Sequence, residues 1–326
     1  MEYSRRRIGK LPLDEFVAVV ATIYSSHDKH RTIWDVWSHT LHHAAGIAQQ
    51  IRMGANEGQL YAEIADFSLW LFTTLLKLNG EFGKSGGRSE RTQESIIRIR
   101  NSCSDLLWHK YPKLCPLCSA HKIGGGTTSP ASLGLNPCDC LGRRAEVEQR
   151  DAKRKRLASV HHYSDRVPGE KPTSIDGWQQ MFGAIFARNI AALSLADVTL
   201  HLMEELGEAS DAMVRMYTYK EETFRSGEPN VRQLNLEGQL ADVFSRTFVL
   251  IEKLDQSKRE RRENEQRRAD EELKESVRLS EIIWQRYGSE DLGSFYCPHC
   301  KKPVCRCQII LVPPTRTVEQ LVELYQ

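Results

Sequence analysis

The sequence has no long hydrophobic run, almost no net charge and no useful stretch of alternating apolar and polar residues. Each absence removes a class of protein. The longest apolar run lies around Phe67 to Leu76, well short of the roughly 20 residues that a membrane-crossing helix needs, so no membrane partner is expected. The N-terminus, MEYSRRRIGKLPLDEF, carries arginines without the apolar segment that follows them in a secretory signal. A formal charge of +2, from 45 Lys and Arg against 43 Asp and Glu, gives no global attraction to polyanions. Without period-two runs there is little from which to build a sheet. What remains is a soluble, cytoplasmic, all-α protein whose 326 residues exceed the common single-domain size. In that compartment thiols stay reduced, and clustered cysteines read as metal ligands rather than disulfides.

What is present is an order of segments used twice. LHHAAGIAQQIRMG (Leu41 to Gly54), YAEIADFSLWLFTTLLKL (Tyr61 to Leu78) and SDLLWHKYPKLCPLC (Ser104 to Cys118) are followed by LMEELGEASDAMVRM (Leu202 to Met216), GQLADVFSRTFVLIEKL (Gly238 to Leu254) and SEIIWQRYGSEDLGSFYCPHC (Ser280 to Cys300). Asp66 and Asp242 are 176 positions apart, and so are Trp108 and Trp284, which points to a tandem repeat of two helical bundles. Upstream helices are expected over Leu13 to His27 and Ser174 to Ile190, with Ser174 and Asp176 as caps. The charged run from Lys253 to Trp284 lacks Gly and Pro and reads as one long, largely solvated helix continuing from the Gly238 segment.

The most informative stretch is Leu202 to Met216. At 100° per residue Leu202, Leu206, Ala209, Met213 and Met216 form one core-facing stripe. Glu205 and Glu208 flank the stripe, whereas Glu204 and Asp211 fit a solvated face. Carboxylates at a core margin are costly unless a cation or hydrogen-bond donors compensate them. Two helices that each present acids at i and i+3 can build a cation site between them, and all-oxygen ligands suit Mg²⁺ or Mn²⁺. The second half offers Glu205 and Glu208, then Asp242, with Gln239 where a further acid would stand. The first half offers Glu63 and Asp66, but its facing helix reads His43, Ala44, Ala45, Gly46, Ile47.

EELGEA followed by an acid-x-x-Asp helix resembles the MazG family of all-α nucleoside triphosphate pyrophosphohydrolases, whose signature is E-x-x-E, then E-x-x-D. Residue by residue, Glu205 and Glu208 match the first pair, Asp242 the last acid, and Glu63 with Asp66 the second pair in the other half. The resemblance implies Mg²⁺ held by these five residues, which would also be the catalytic set. It implies cleavage between the α and β phosphates of an NTP or dNTP, giving the monophosphate and pyrophosphate. Two arrangements stay open: the second half works alone with Gln239 supplying a neutral oxygen, or the halves pack as a pseudo-dimer and share ligands. A catalytically weakened nucleotide-sensing or scaffold subunit is the competing reading. His201 is a candidate substrate contact or a hydrogen-bonded margin histidine. His42 and His43 read as structural, and Trp178 reads as core. His27-Asp28 is an isolated dyad without the further motifs of a metal-dependent phosphohydrolase.

Two cysteine modules complete the pattern. Cys115, Cys118, Cys138 and Cys140 form one set, and Cys297, Cys300, Cys305 and Cys307 the other. Each has spacing suited to tetrahedral structural Zn²⁺, so two zinc sites are expected. Cys103 is left over and reads as a buried helix residue. The expected partition is a degenerate MazG-like bundle over 1–112, zinc module 1 over 113–142, a charged linker over 143–172, the bundle bearing EELGE over 173–292, zinc module 2 over 293–310 and a tail over 311–326. Expected partners are a nucleotide and further protein copies in a homo-oligomer or larger assembly. Nucleic-acid binding through the zinc modules or the basic run Arg150 to Arg156 is a lesser alternative.

Overall fold

The computed structural model describes residues 3–54, 56–80, 99, 101–113, 115, 170–218, 231–265 and 276–307. Most are helical. The elements are α1 (Arg5–Ile8), α2 (Leu13–Ala21), a 3₁₀ turn (Thr22–Tyr24), α3 (Ser25–Asp28), α4 (Ile33–Met53), α5 (Glu57–Leu78), α6 (Cys103–Lys110), α7 (Ile175–Ile185), α8 (Ala187–Ala192), α9 (Leu195–Thr218), α10 (Val231–Glu265) and α11 (Leu279–Tyr287). A two-residue hairpin, β1 (Gly288–Ser289) with β2 (Ser294–Phe295), follows α11. No helix among the described residues is long and apolar enough to cross a membrane.

Local chemistry sets the helix ends. Thr32 and Asp35 exchange side-chain and backbone bonds in a capping box that starts α4, and Ser194 with Asp197 does the same before α9. Gly54 closes α4 at φ 60°, a left-handed conformation that glycine adopts without a Cβ penalty. From Ile64 onward α5 is buried almost all round, the signature of a central rather than a surface helix.

Two long hairpins, α4–α5 and α9–α10, form the body. They meet where α4 packs on α9, with the Trp37 indole donating to Ser210 Oγ at 2.9 Å. Phe72 of α5 also stacks on Phe244 of α10 with ring centres 6.0 Å apart. The starts of the two halves pair directly: Leu13 N–H donates to Thr173 O and Ile175 N–H to Leu11 O, both at 3.1 Å, around an antiparallel Pro12–Ser174 bridge.

Side-chain bonds recur between the halves in matching positions. Ser104 Oγ donates to Asp14 at 2.5 Å and Ser280 Oγ to Asp176 at 2.7 Å. Each pair anchors the start of a Trp-bearing helix, α6 or α11, on its own half. The far ends of these helices cross over, so that α6 packs on α10 and α11 on α5.

Three expected helices differ in detail. The helix from Leu13 breaks after Ala21 into the 3₁₀ turn and α3. The helix from Ser174 breaks at Phe186, which packs face-on against Phe182 at the end of α7. Ser174 caps α7 as expected, whereas Asp176 is taken by Arg278 and Ser280. The long charged helix does not run through to Trp284, because residues 276–278 are non-helical and Val277 N–H donates to Asp255 at 2.6 Å. An uninterrupted helix would hold those two residues about 33 Å apart, whereas Val277 is buried beside Asp255 of α10. The short hairpin β1–β2 was also not expected from the sequence. Module 1 beyond Cys115, the linker up to residue 169 and the tail from residue 308 lie outside the described residues.

Candidate functional site

The apolar stripe of α9 is buried, with Leu202, Ala209 and Met213 at 0 % exposure. Glu205 and Glu208 sit half-buried at its margin, and Glu204 and Asp211 face solvent. The placement follows from helical geometry, since residues three apart share a face.

Glu205 accepts from Arg246 Nε at 3.2 Å. Asp242, one turn before Arg246 on α10, receives the ammonium of Lys110, the last residue of α6, and the hydroxyl of Tyr111, which follows it. Lys110 Nζ also donates to Gly238 O at 3.0 Å, and Ser245 Oγ donates to the Tyr111 hydroxyl at 3.3 Å. Burial first, and then the Asp242 charge, push the Glu205 carboxyl up to about 7; Glu208 adds to the rise, while Arg246 and Lys110 pull the other way. Burial and the neighbouring Asp242 raise the Tyr111 phenol well above its ordinary range. Gln239, on the Asp242 side of α10, keeps its buried Oε1 without a hydrogen-bond partner. Glu237 lies on another face and accepts from Asn101 at 2.7 Å.

Glu63 and Asp66 form a second set, held by other partners. Glu63 Oε2 lies 2.9 Å from His43 Nδ1. Asp66 receives two bonds from Arg286, both 3.1 Å, and one from the Tyr287 hydroxyl. Lys110 with Tyr111 and Arg286 with Tyr287 therefore do the same thing on opposite halves, 176 positions apart. Sequence reasoning missed both pairs. Their signal in the sequence is the repeated Trp-x-(Lys/Arg)-Tyr of WHKY and WQRY.

The oxygens of Glu205, Glu208 and Asp242 on α9 and α10 are of the kind a hard divalent ion takes, and the orphaned Gln239 Oε1 is a buried acceptor. Among the described residues, however, only the four sulfurs of Cys297, Cys300, Cys305 and Cys307 make a set of three or more ligand atoms all within 4.8 Å of one another. The Glu205, Glu208 and Asp242 carboxylates do not approach that closely; Arg246 and Lys110 hold two of them.

The four-cysteine cluster can bind a metal such as zinc. Its first turn reverses through Lys301 at φ 56°. Backbone N–H groups of Arg306 and Cys307 donate to Cys300 and Cys305 sulfurs at 3.4 Å. The bond from Arg306 is the main cause that brings the Cys300 thiol down to about 6, whereas burial pushes the Cys305 thiol up and Cys307 is raised as well. The module docks on the N-terminal helices: Cys305 N–H donates to Ile23 O and Ser26 Oγ to Cys305 O, both at 2.6 Å. Cys115 is buried, but Cys118, Cys138 and Cys140 lie outside the described residues.

The remaining candidates resolve individually. Trp178 is fully buried against Phe182 and Trp108 and has no face free for a base. His43 is engaged by Glu63, His42 packs edge-on to His43, and His201 is half-buried. Cys103 is buried in α6. Asp28 is fully buried, bonded to Arg31 at 2.7 Å. Comparison with family models, curated proteins and solved structures returns no match for this chain.

Proposed function

We infer that the chain is a tandem MazG-like protein that hydrolyses nucleoside triphosphates to monophosphate and pyrophosphate with Mg²⁺, its centre lying on α9 and α10. One observation carries the reading: Glu205 and Asp242 on facing helices are bridged to Arg246 and Lys110, with Glu208 one turn along from Glu205 and an unpaired Gln239 oxygen one turn before Asp242. Carboxylates supply hard ligands, and flanking cations suit the phosphates of a polyanionic substrate. Glu205, Glu208 and Asp242 would hold the ion, with Gln239 as a neutral fourth oxygen. Bound Mg²⁺ supplies charge neutralisation and activation of water. Glu63 and Asp66 fall outside this centre in the reading, as ion pairs of a copy whose facing helix lost its acids.

The same reading takes the two halves as duplicated bundles in a cytoplasmic protein. Structural Zn²⁺ would fill both cysteine modules, and further copies would assemble through bundle faces. The test is pyrophosphate release from a nucleotide panel with Mg²⁺ and with EDTA. Release unaltered in a Glu205→Ala, Glu208→Ala double variant would sink the assignment.

A second reading, a nucleotide-sensing or scaffold subunit, is favoured by the cations already seated on Glu205 and Asp242. It predicts saturable nucleotide binding without turnover.

A further inference from the structure

The matching pairs at Asp66 and Asp242 differ in one chemically decisive way. Arg286 grips Asp66 with two parallel bonds of 3.1 Å, the closed fork-to-fork geometry that commits a guanidinium to one carboxylate. Lys110 is a point charge with three donors. Among the described residues two of them are used, on Asp242 and on Gly238 O. Its side chain retains 27 % exposure, and it stands where α6 of one half meets the acidic face of the other. Tyr111, buried beside it, donates to the other Asp242 oxygen and fixes the carboxylate independently. Asp242 thus keeps one neutral donor if Lys110 leaves, whereas the ammonium has a spare donor and a flexible stem.

We propose that Lys110 is a polyphosphate-binding residue lent by the first half to the site of the second, exchanging Asp242 for a ligand phosphate oxygen. This rests on the α9–α10 reading above. It gives the acid-depleted first half a function of its own, because the site is incomplete without α6. Lys110 occupies Asp242 when no ligand is present, so it competes with a divalent cation for that carboxylate. Once the carboxylate is claimed, it faces the site as an unpaired cation.

The consequence is a split that a merely structural lysine would not produce. In Lys110→Met and Lys110→Gln, Mn²⁺ alone should bind about three- to tenfold more tightly, the value of one partly exposed ion pair removed from competition. Inorganic triphosphate with Mg²⁺ should bind about tenfold or more weakly, the loss of one charge-assisted contact. Lys110→Arg should keep triphosphate binding. Mn²⁺ is followed by electron paramagnetic resonance and triphosphate by calorimetry, on the full chain, with thermal unfolding as the check of folding for both neutral variants. Unchanged or weaker Mn²⁺ binding, or unchanged triphosphate binding, in a folded neutral variant overturns the proposal. If the wild-type chain binds Mn²⁺ no better than a Glu205→Gln, Glu208→Gln variant, the α9–α10 site itself falls and the proposal with it. That result is distinguishable from normal Mn²⁺ binding that ignores Lys110.

Discussion

The Tyr111 hydroxyl, from the first half of the chain, donates to Asp242 in the second, and Tyr287 of the second half donates to Asp66 of the first. Both phenols are buried, so each bond joins a desolvated donor to a carboxylate across the two halves. Such bonds to charged groups contribute about 1.5–3 kcal/mol. Tyr111→Phe and Tyr287→Phe should each lower unfolding stability by about that much, by similar amounts, in urea titrations. A cost at one position and none at the other would show that the two crossings are not energetically equivalent.

Gly46 and Gly207 hold matching places in LHHAAGIA and LMEELGEA but have different surroundings. A Cβ at Gly46 would lie 2.5 Å from Glu63 Oε2, whereas at Gly207 it would meet nothing within 4 Å. Ala is favoured over Gly inside a helix by about 1 kcal/mol. Gly207→Ala should therefore stabilise by about 1 kcal/mol in chemical denaturation. Gly46→Ala should gain almost nothing, because Glu63 must leave His43. In a Glu63→Ala background the gain at position 46 should reappear, and a double-mutant cycle reads the difference.

Asp28 gives a pH dependence with a definite sign. Burial pushes its carboxyl up to about 6, against the lowering pull of Arg31 and Lys77. A folded-state value above the unfolded one means that the group favours folding when protonated. Its contribution is fully present below about pH 4 and is lost as pH rises through about 6. The size is on the order of 3 kcal/mol. His27, lowered by burial, works in the opposite direction. The clean measurement is the difference between wild type and Asp28→Asn from pH 4 to pH 8. The variant should gain relative stability as pH rises, and a flat difference would refute the assignment.

Metal removal should loosen the join between the C-terminal module and the Ile23–Ser26 segment, because Cys305 makes two backbone bonds there. Chelation is expected to lower Tm by about 5 °C or more, through loss of a ligand that binds the folded chain alone. Cys305→Ser should remove one metal equivalent per chain by atomic absorption. Unchanged metal content would rule out the cluster as a site.

The sequence by itself determined the mostly helical character, the buried stripe of α9, the exposure of Glu204 and Asp211, the core role of Trp178 and the second cysteine cluster. These rest on periodicity and local spacing, which neighbouring residues impose on one another. Glu63 and Asp66 are the only charged residues from Gln59 through Leu76, and charges within an apolar helix must be compensated, so the need for partners there is also written in the sequence. Only the tertiary structure decided which partners those are. His43 arrives from α4, Arg286 and Tyr287 from 220 and 221 positions away, and Lys110 and Tyr111 reach Asp242 by the reciprocal path. No local pattern encodes such crossings, because they follow from two hairpins packing face to face. That packing carries the end of each Trp-bearing helix onto the acidic helix of the opposite half.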